Sequence, residues 1–109
     1  NGLSARNQVQ RTKVQLERSK MQLSQEELNL ERNVYTAFTD AKNALNAYEA
    51  AQNVLESRTE ALRYAQERLN VGLMNMFEFQ QAQNLHVAAR AEVLRTKYDY
   101  IFRTKILEF

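Results

Sequence analysis

Apolar positions recur along this chain at helical spacing, and the phase of the recurrence changes about a third of the way along. From Val34 onward one stripe repeats every seven residues: Val34, Ala41, Tyr48, Leu55, Leu62, Leu69. A second stripe of small residues follows at Ala37, Ala44, Ala51 and Ala65. Arg58 interrupts it, and Phe38 and Leu45 widen the face at its start. Alternating steps of three and four predict a left-handed supercoiled seam, and the alanines let a neighbouring backbone come close. Upstream the pattern differs. Val9, Leu16, Leu23 and Leu30 form one series, while Val14, Met21, Leu28 and Tyr35 form another, two positions out of phase. Two positions turn an α-helix by about 200°, so the two series fall on nearly opposite sides. This predicts a helix sandwiched between two neighbours, like a stave in the wall of a helical barrel.

Glycine punctuates the chain only at Gly2 and Gly72, and there is no proline. The glycine-free stretch from Leu3 to Val71 could form a helix roughly 100 Å long, with Ser4 as a candidate N-cap. After the break at Asn70-Val71-Gly72, helical periodicity resumes. One seam runs Phe79, Ala82, His86, Ala89, Val93, Tyr100, Leu107, and another runs Val87, Ala91, Leu94, Tyr98, Ile101. The expected fold class is all-α, a long antiparallel α-helical hairpin of coiled-coil type. Its long helix covers about residues 4–69, its tip turn about 70–74 and its returning helix about 75–107. A returning helix of about 55 Å lies back only along residues from about 34 to 70. The seam of Val34, Ala41, Tyr48, Leu55, Leu62 and Leu69 should then meet Phe79, Ala82, Val93, Leu94 and Ile101, and the upper stave has no partner in the chain.

Composition agrees with this reading and removes several function classes. The chain has 109 residues, 44% hydrophobic and 26% charged, with no cysteine or tryptophan. Two helices of this size bury only a thin seam, so partners are implied. The formal net charge is +2, and five basic groups (Arg6, Arg11, Lys13, Arg18, Lys20) oppose Glu17 in the first twenty residues. Such a mild excess reads as a solvated face. A DNA-binding zipper built on Leu16, Leu23 and Leu30 would need a denser basic region for phosphate contacts, so no nucleic-acid partner is expected. The lack of cysteine excludes disulfides and thiolate metal sites. No apolar run approaches the ~20 residues of a membrane-spanning helix, and no signal peptide is seen. The start at Asn1-Gly2 and the stop at Phe109 suggest a piece of a longer chain.

Chemistry-bearing constellations are sparse. His86, the single histidine, lies within an apolar seam and reads as a packed or hydrogen-bonded seam residue. A four-helix di-metal site would need a glutamate three positions before it, where Gln83 stands. Neither a cofactor nor a metal is expected, and the absence of a nucleophile paired with a base argues against an enzyme. Glu26 and Glu27 read as solvated, or alternatively as lining for a hydrophilic channel. Asp99 with Arg103, and Glu60 with Arg63, look like ordinary surface helix pairs. The tyrosines Tyr35, Tyr48, Tyr64, Tyr98 and Tyr100 are expected to fill seams.

The turn, LNVGLMNMFEFQQAQ from Leu69 to Gln83, resembles that of the TolC family of trimeric outer-membrane efflux channels. In that family a tip glycine between two helices is followed by an acidic residue and an Ala-Gln pair, and Gly72, Glu78, Ala82 and Gln83 fall in those places. The opening Asn1-Gly2-Leu3-Ser4-Ala5-Arg6 is similar to the family's transition from membrane strands into the descending helix of the second repeat. The stretch Lys97-Tyr98-Asp99-Tyr100-Ile101 is similar to the upper part of its returning helix. Three positions depart from the pattern. Leu69 replaces a frequent aromatic residue, Met74 stands where some members have a gating arginine, and Gln81 occupies the second acidic place of the tip.

The resemblance implies that the chain is one hairpin of a trimeric α-barrel tunnel in the periplasm, with the outer-membrane β-barrel lying outside these residues. It implies self-association through the helix seams, together with a periplasmic adaptor and an inner-membrane pump as partners, in tripartite efflux or type I secretion. Asn70, Val71, Gly72, Leu73, Met74 and Asn75 would form the tip that docks the adaptor. Glu78, with Gln81 and Met74, would gate or select at the entrance; the alternative for Glu78 is an exposed first-turn acid interacting only with the helix dipole. Rival readings are the helical hairpin of a periplasmic adaptor, which would carry a tip arginine absent between Arg68 and Arg90, and a coiled-coil scaffold, which would not need the opposed upstream stripes.

Overall fold

A computed structural model describes residues 1–108 and shows two α-helices, α1 (Gly2–Asn70) and α2 (Met76–Glu108), joined by a short turn. The fold is the expected helical hairpin. The start of α1 corrects one expectation: Asn1, not Ser4, is the N-cap. The Asn1 side-chain oxygen accepts hydrogen bonds from the backbone amides of Leu3 (2.7 Å) and Ser4 (3.2 Å), satisfying donors that the first turn leaves free. The chain divides into two units, Asn1–Thr36 and the stretch from Ala37 onward.

In the second unit the heptad pattern becomes burial. On α1, Ala41, Ala44, Ala51 and Ala65 are buried, and Leu45, Tyr48, Leu55, Leu62 and Leu69 are half-buried. On α2, Phe79, Ala89 and Thr96 are buried, and Ala82, His86, Val93 and Tyr100 are half-buried. Only the facing helix can cover these stripes, so the two sets pack on each other. The pairing is antiparallel. Leu55 shares a shallow groove with Val87, Arg90, Ala91 and Leu94, while Phe38, Ala41 and Leu45 share one with Tyr100, Thr104 and Leu107. Alanine at four buried α1 positions permits close backbone approach, and among the described residues no large side chain is wholly enclosed. The core is a seam one layer thick.

The seam differs from expectation at four places. Val34 is exposed. Leu94 and Ile101 are also exposed, because the seam runs Val93, Thr96, Tyr100 in steps of three and four, and each of the two follows a seam residue by one position, about 100° around the helix. Thr96 is therefore a core residue that an apolar pattern does not reveal, at 3% exposure. Its hydroxyl donates to the Glu92 carbonyl (2.8 Å) and lies 3.1 Å from that of Val93, so its polar atom costs little when buried. Tyr35, Tyr64 and Tyr98 stay exposed, leaving Tyr48 and Tyr100 as the tyrosines that fill the seam.

The Asp99–Arg103 pair is also more than a surface pair. Arg103 reaches Asp99 on its own helix and Asp40 on α1, each at 3.3 Å, and all three side chains are partly shielded. Other ion pairs run along single helices. Arg63 bridges Glu60 (2.9 Å) and Glu67 (3.0 Å), and a hydrogen bond from Arg95 holds the Glu92 carboxyl below the ordinary carboxylate range.

In the first unit every residue from Asn1 to Thr36 is exposed. Both upstream stripes therefore face outward, with Met21 at 71% and Leu30 at 63% exposure. No helix among the described residues is long and apolar enough to cross a membrane.

Candidate functional site

The turn is built as a Schellman cap, the arrangement by which a left-handed residue folds the chain back over the last carbonyls of a helix. Gly72 adopts φ +75°, a conformation that side chains with a β-carbon rarely take. The Gly72 amide donates to the Leu69 carbonyl (3.1 Å), the Leu73 amide to the Arg68 carbonyl (2.8 Å) and the Val71 amide to the Glu67 carbonyl (3.3 Å). These bonds satisfy the Glu67, Arg68 and Leu69 carbonyls among those left open at the end of α1. The space around a β-carbon at Gly72 is open, so its backbone angle alone requires glycine.

The returning helix has its own cap. The Asn75 side-chain oxygen accepts from the Glu78 amide at 2.8 Å, and the Phe79 amide donates to the Asn75 carbonyl at 3.1 Å. Asn75 thus ends the turn and starts α2. Glu78 lies in the first turn of α2, where the helix dipole favours an anion. It is exposed, as is Gln81, whereas Met74 is half-buried. The structure thus sets Asn70, Val71, Gly72, Leu73, Met74 and Asn75 together as one compact turn, with Glu78 one helical turn beyond.

The tip surface is apolar. Val71, Leu73, Met76 and Phe77 are all exposed, Phe77 at 71%. A cluster of exposed large apolar side chains on a tight turn is a surface suited to a protein partner. Met76 and Phe77 were missed as site residues, because inside a helical segment they look like seam. Phase distinguishes Phe77, which stands two positions before Phe79 and so about 200° around the helix from the seam, but not Met76, which is three positions before Phe79.

A family model for outer membrane efflux proteins matches residues 1–104, nearly the whole chain. The chain belongs to the outer membrane efflux protein family. The likeness of its turn to TolC channels is thus a family relationship. The family comprises outer-membrane transport channels and not enzymes, and this chain is a helical part of such a channel. No curated relative and no solved structure matches it.

Proposed function

We propose that this hairpin is a wall segment of a trimeric efflux tunnel that crosses the periplasm, and that its tip docks a periplasmic adaptor coupled to an inner-membrane pump. The observation that carries the reading is the pair of opposed, uncovered apolar stripes at Val9/Leu16/Leu23/Leu30 and Val14/Met21/Leu28. A helix with two opposed apolar faces needs a neighbour on each side, which a closed ring of staves supplies. The outward series Val87, Leu94, Tyr98 and Ile101 on α2 asks for a further neighbour in the same way. Replacing Leu16 and Leu23 together by Glu in the complete channel is expected to abolish the trimer, measured by light scattering on the detergent-solubilised protein. A trimer that survives the double replacement contradicts the stave reading.

At the tip, Val71, Leu73, Met76 and Phe77 supply the apolar docking surface, and Glu78 supplies charge at the entrance. Around a three-fold axis three copies of Glu78 form a carboxylate ring that draws cations into the opening. Gln81 and Met74 contribute neither a second ring nor an arginine lock, so the ring at Glu78 acts alone. Glu78→Gln should lower cation preference and block by multivalent cations in planar-bilayer conductance. Unaltered selectivity and block would return Glu78 to the role of a first-turn acid.

A further inference from the structure

The tip's apolar side chains are useful to a partner only if the turn that carries them keeps one shape, and one residue of α1 grips that turn from two sides. Arg68 is half-buried at the end of the seam. Its backbone carbonyl accepts from the Leu73 amide at 2.8 Å. Its guanidinium donates to the Leu73 carbonyl at 3.2 Å. The same guanidinium lies over the Tyr64 ring, 5.6 Å from its centre. Both polar groups of Leu73 are thereby held by one residue, and the tyrosine one turn earlier fixes where that residue's planar fork can point.

We propose that Arg68 is a positioning residue of the docking tip, braced on Tyr64, that holds the Leu73 peptide so that Val71, Leu73, Met76 and Phe77 are presented in one preformed arrangement. The proposal rests on the docking reading given above. Without the brace, Leu73 keeps its amide bond to the Arg68 carbonyl but loses the restraint on its own carbonyl, and the peptide that follows is free to rotate. A partner must then order the turn as it binds, which lowers affinity without removing any contacting side chain. Lysine at 68 keeps the charge but lacks the planar fork that donates to the carbonyl while stacking on the ring, so it should not replace arginine.

The test uses the complete channel in detergent, with the purified periplasmic adaptor protein of the same host as the probe. Hydrogen exchange is followed at the amides of residues 71–76, and adaptor association by biolayer interferometry. Arg68→Ala is expected to speed exchange across the turn about tenfold, from loss of one hydrogen bond and one cation–π contact. It should weaken adaptor binding by a similar factor. Arg68→Lys should behave like Arg68→Ala, and Tyr64→Leu should fall between them and the parent. Exchange that is unchanged in Arg68→Ala overturns the brace. Faster exchange with unchanged adaptor binding, or full rescue by lysine, overturns the positioning role. Leu73→Ser and Phe77→Ser separate the two ideas: if neither weakens adaptor binding, the docking reading fails, while the exchange measurement still decides whether Arg68 holds the turn.

Discussion

Residues 1–36 and the stretch from Ala37 onward carry apolar heptads of similar density, yet one region has no buried residue and the other buries its stripe. The difference lies in what the stripes meet. In the second region α2 folds back and covers a single alanine-rich seam, so the heptads are satisfied within the chain. The first region has two opposed seams and nothing described covers either. Long helices draw most of their stability from tertiary packing of an apolar face and not from propensity. On the stave reading the first region therefore depends on neighbours for its stability, while the second is covered by its own hairpin. A heptad repeat tells that a helix has a partner; the number and phase of the repeats tell whether one partner suffices.

The sharpest way to break this contrast is to place the same charge in each region. Ala65 is 2% exposed in the seam, and Ala65→Glu forces a carboxylate into that contact. The expected loss of hairpin stability is about 3 kcal/mol, measured by urea denaturation. Leu16→Glu in the isolated 109-residue chain should change hairpin stability by less than about 0.5 kcal/mol, because Leu16 is exposed there. Its effect should appear in self-association, which the exposed stripes otherwise favour at micromolar concentration. Equal destabilisation by the two variants, or sedimentation of the parent chain as a fully helical monomer, would remove the distinction between the regions.

A smaller effect is expected at the turn that makes the second region possible. Gly72→Ala should cost about 1–2 kcal/mol, from the left-handed backbone angle alone, since no neighbour crowds the added methyl group. Both helices should remain in the variant. A thermal midpoint indistinguishable from the parent would mean that the turn relaxes out of the left-handed conformation at no cost.

The smallest effect belongs to the cross-helix ion pair. Asp40→Asn removes one of the two carboxylates on Arg103, and the shielding is only partial. The expected cost is below about 1 kcal/mol, and it should shrink further in high salt. A larger, salt-independent loss would show that Arg103 does more for the pairing of α1 with α2 than its exposure suggests.

Much of the hairpin was legible because its determinants are local. Gly72 is the sole glycine between two long apolar patterns, and the alanine stripe Ala37/Ala44/Ala51/Ala65 named the packed face of α1 with only Arg58 out of place. What was not legible depends on three-dimensional detail. Asn1 displaced Ser4 as the cap because a side-chain oxygen two residues before an amide can reach it, which a hydrophobic pattern does not encode. Thr96 reads as a surface residue until its hydroxyl is seen bonded to its own helix. Leu94 and Ile101 belong to a good apolar series that α2 leaves exposed. At the tip, Gly72 and Glu78 are visible as residue types at family spacing and Phe77 by its phase, whereas the exposure of Met76 and the two-sided grip of Arg68 on Leu73 follow from how the turn folds.

On the stave reading, neighbouring helices in an assembled channel cover the upstream stripes. Hydrogen exchange tests it most directly when the complete channel and the dilute, monomeric 109-residue chain are compared at the same amides. Residues 9–30 should exchange orders of magnitude faster in the monomer than in the channel, while residues 41–65 should differ far less between the two. Equal protection of residues 9–30 in both states, or their ready exchange in the assembled channel, would contradict it.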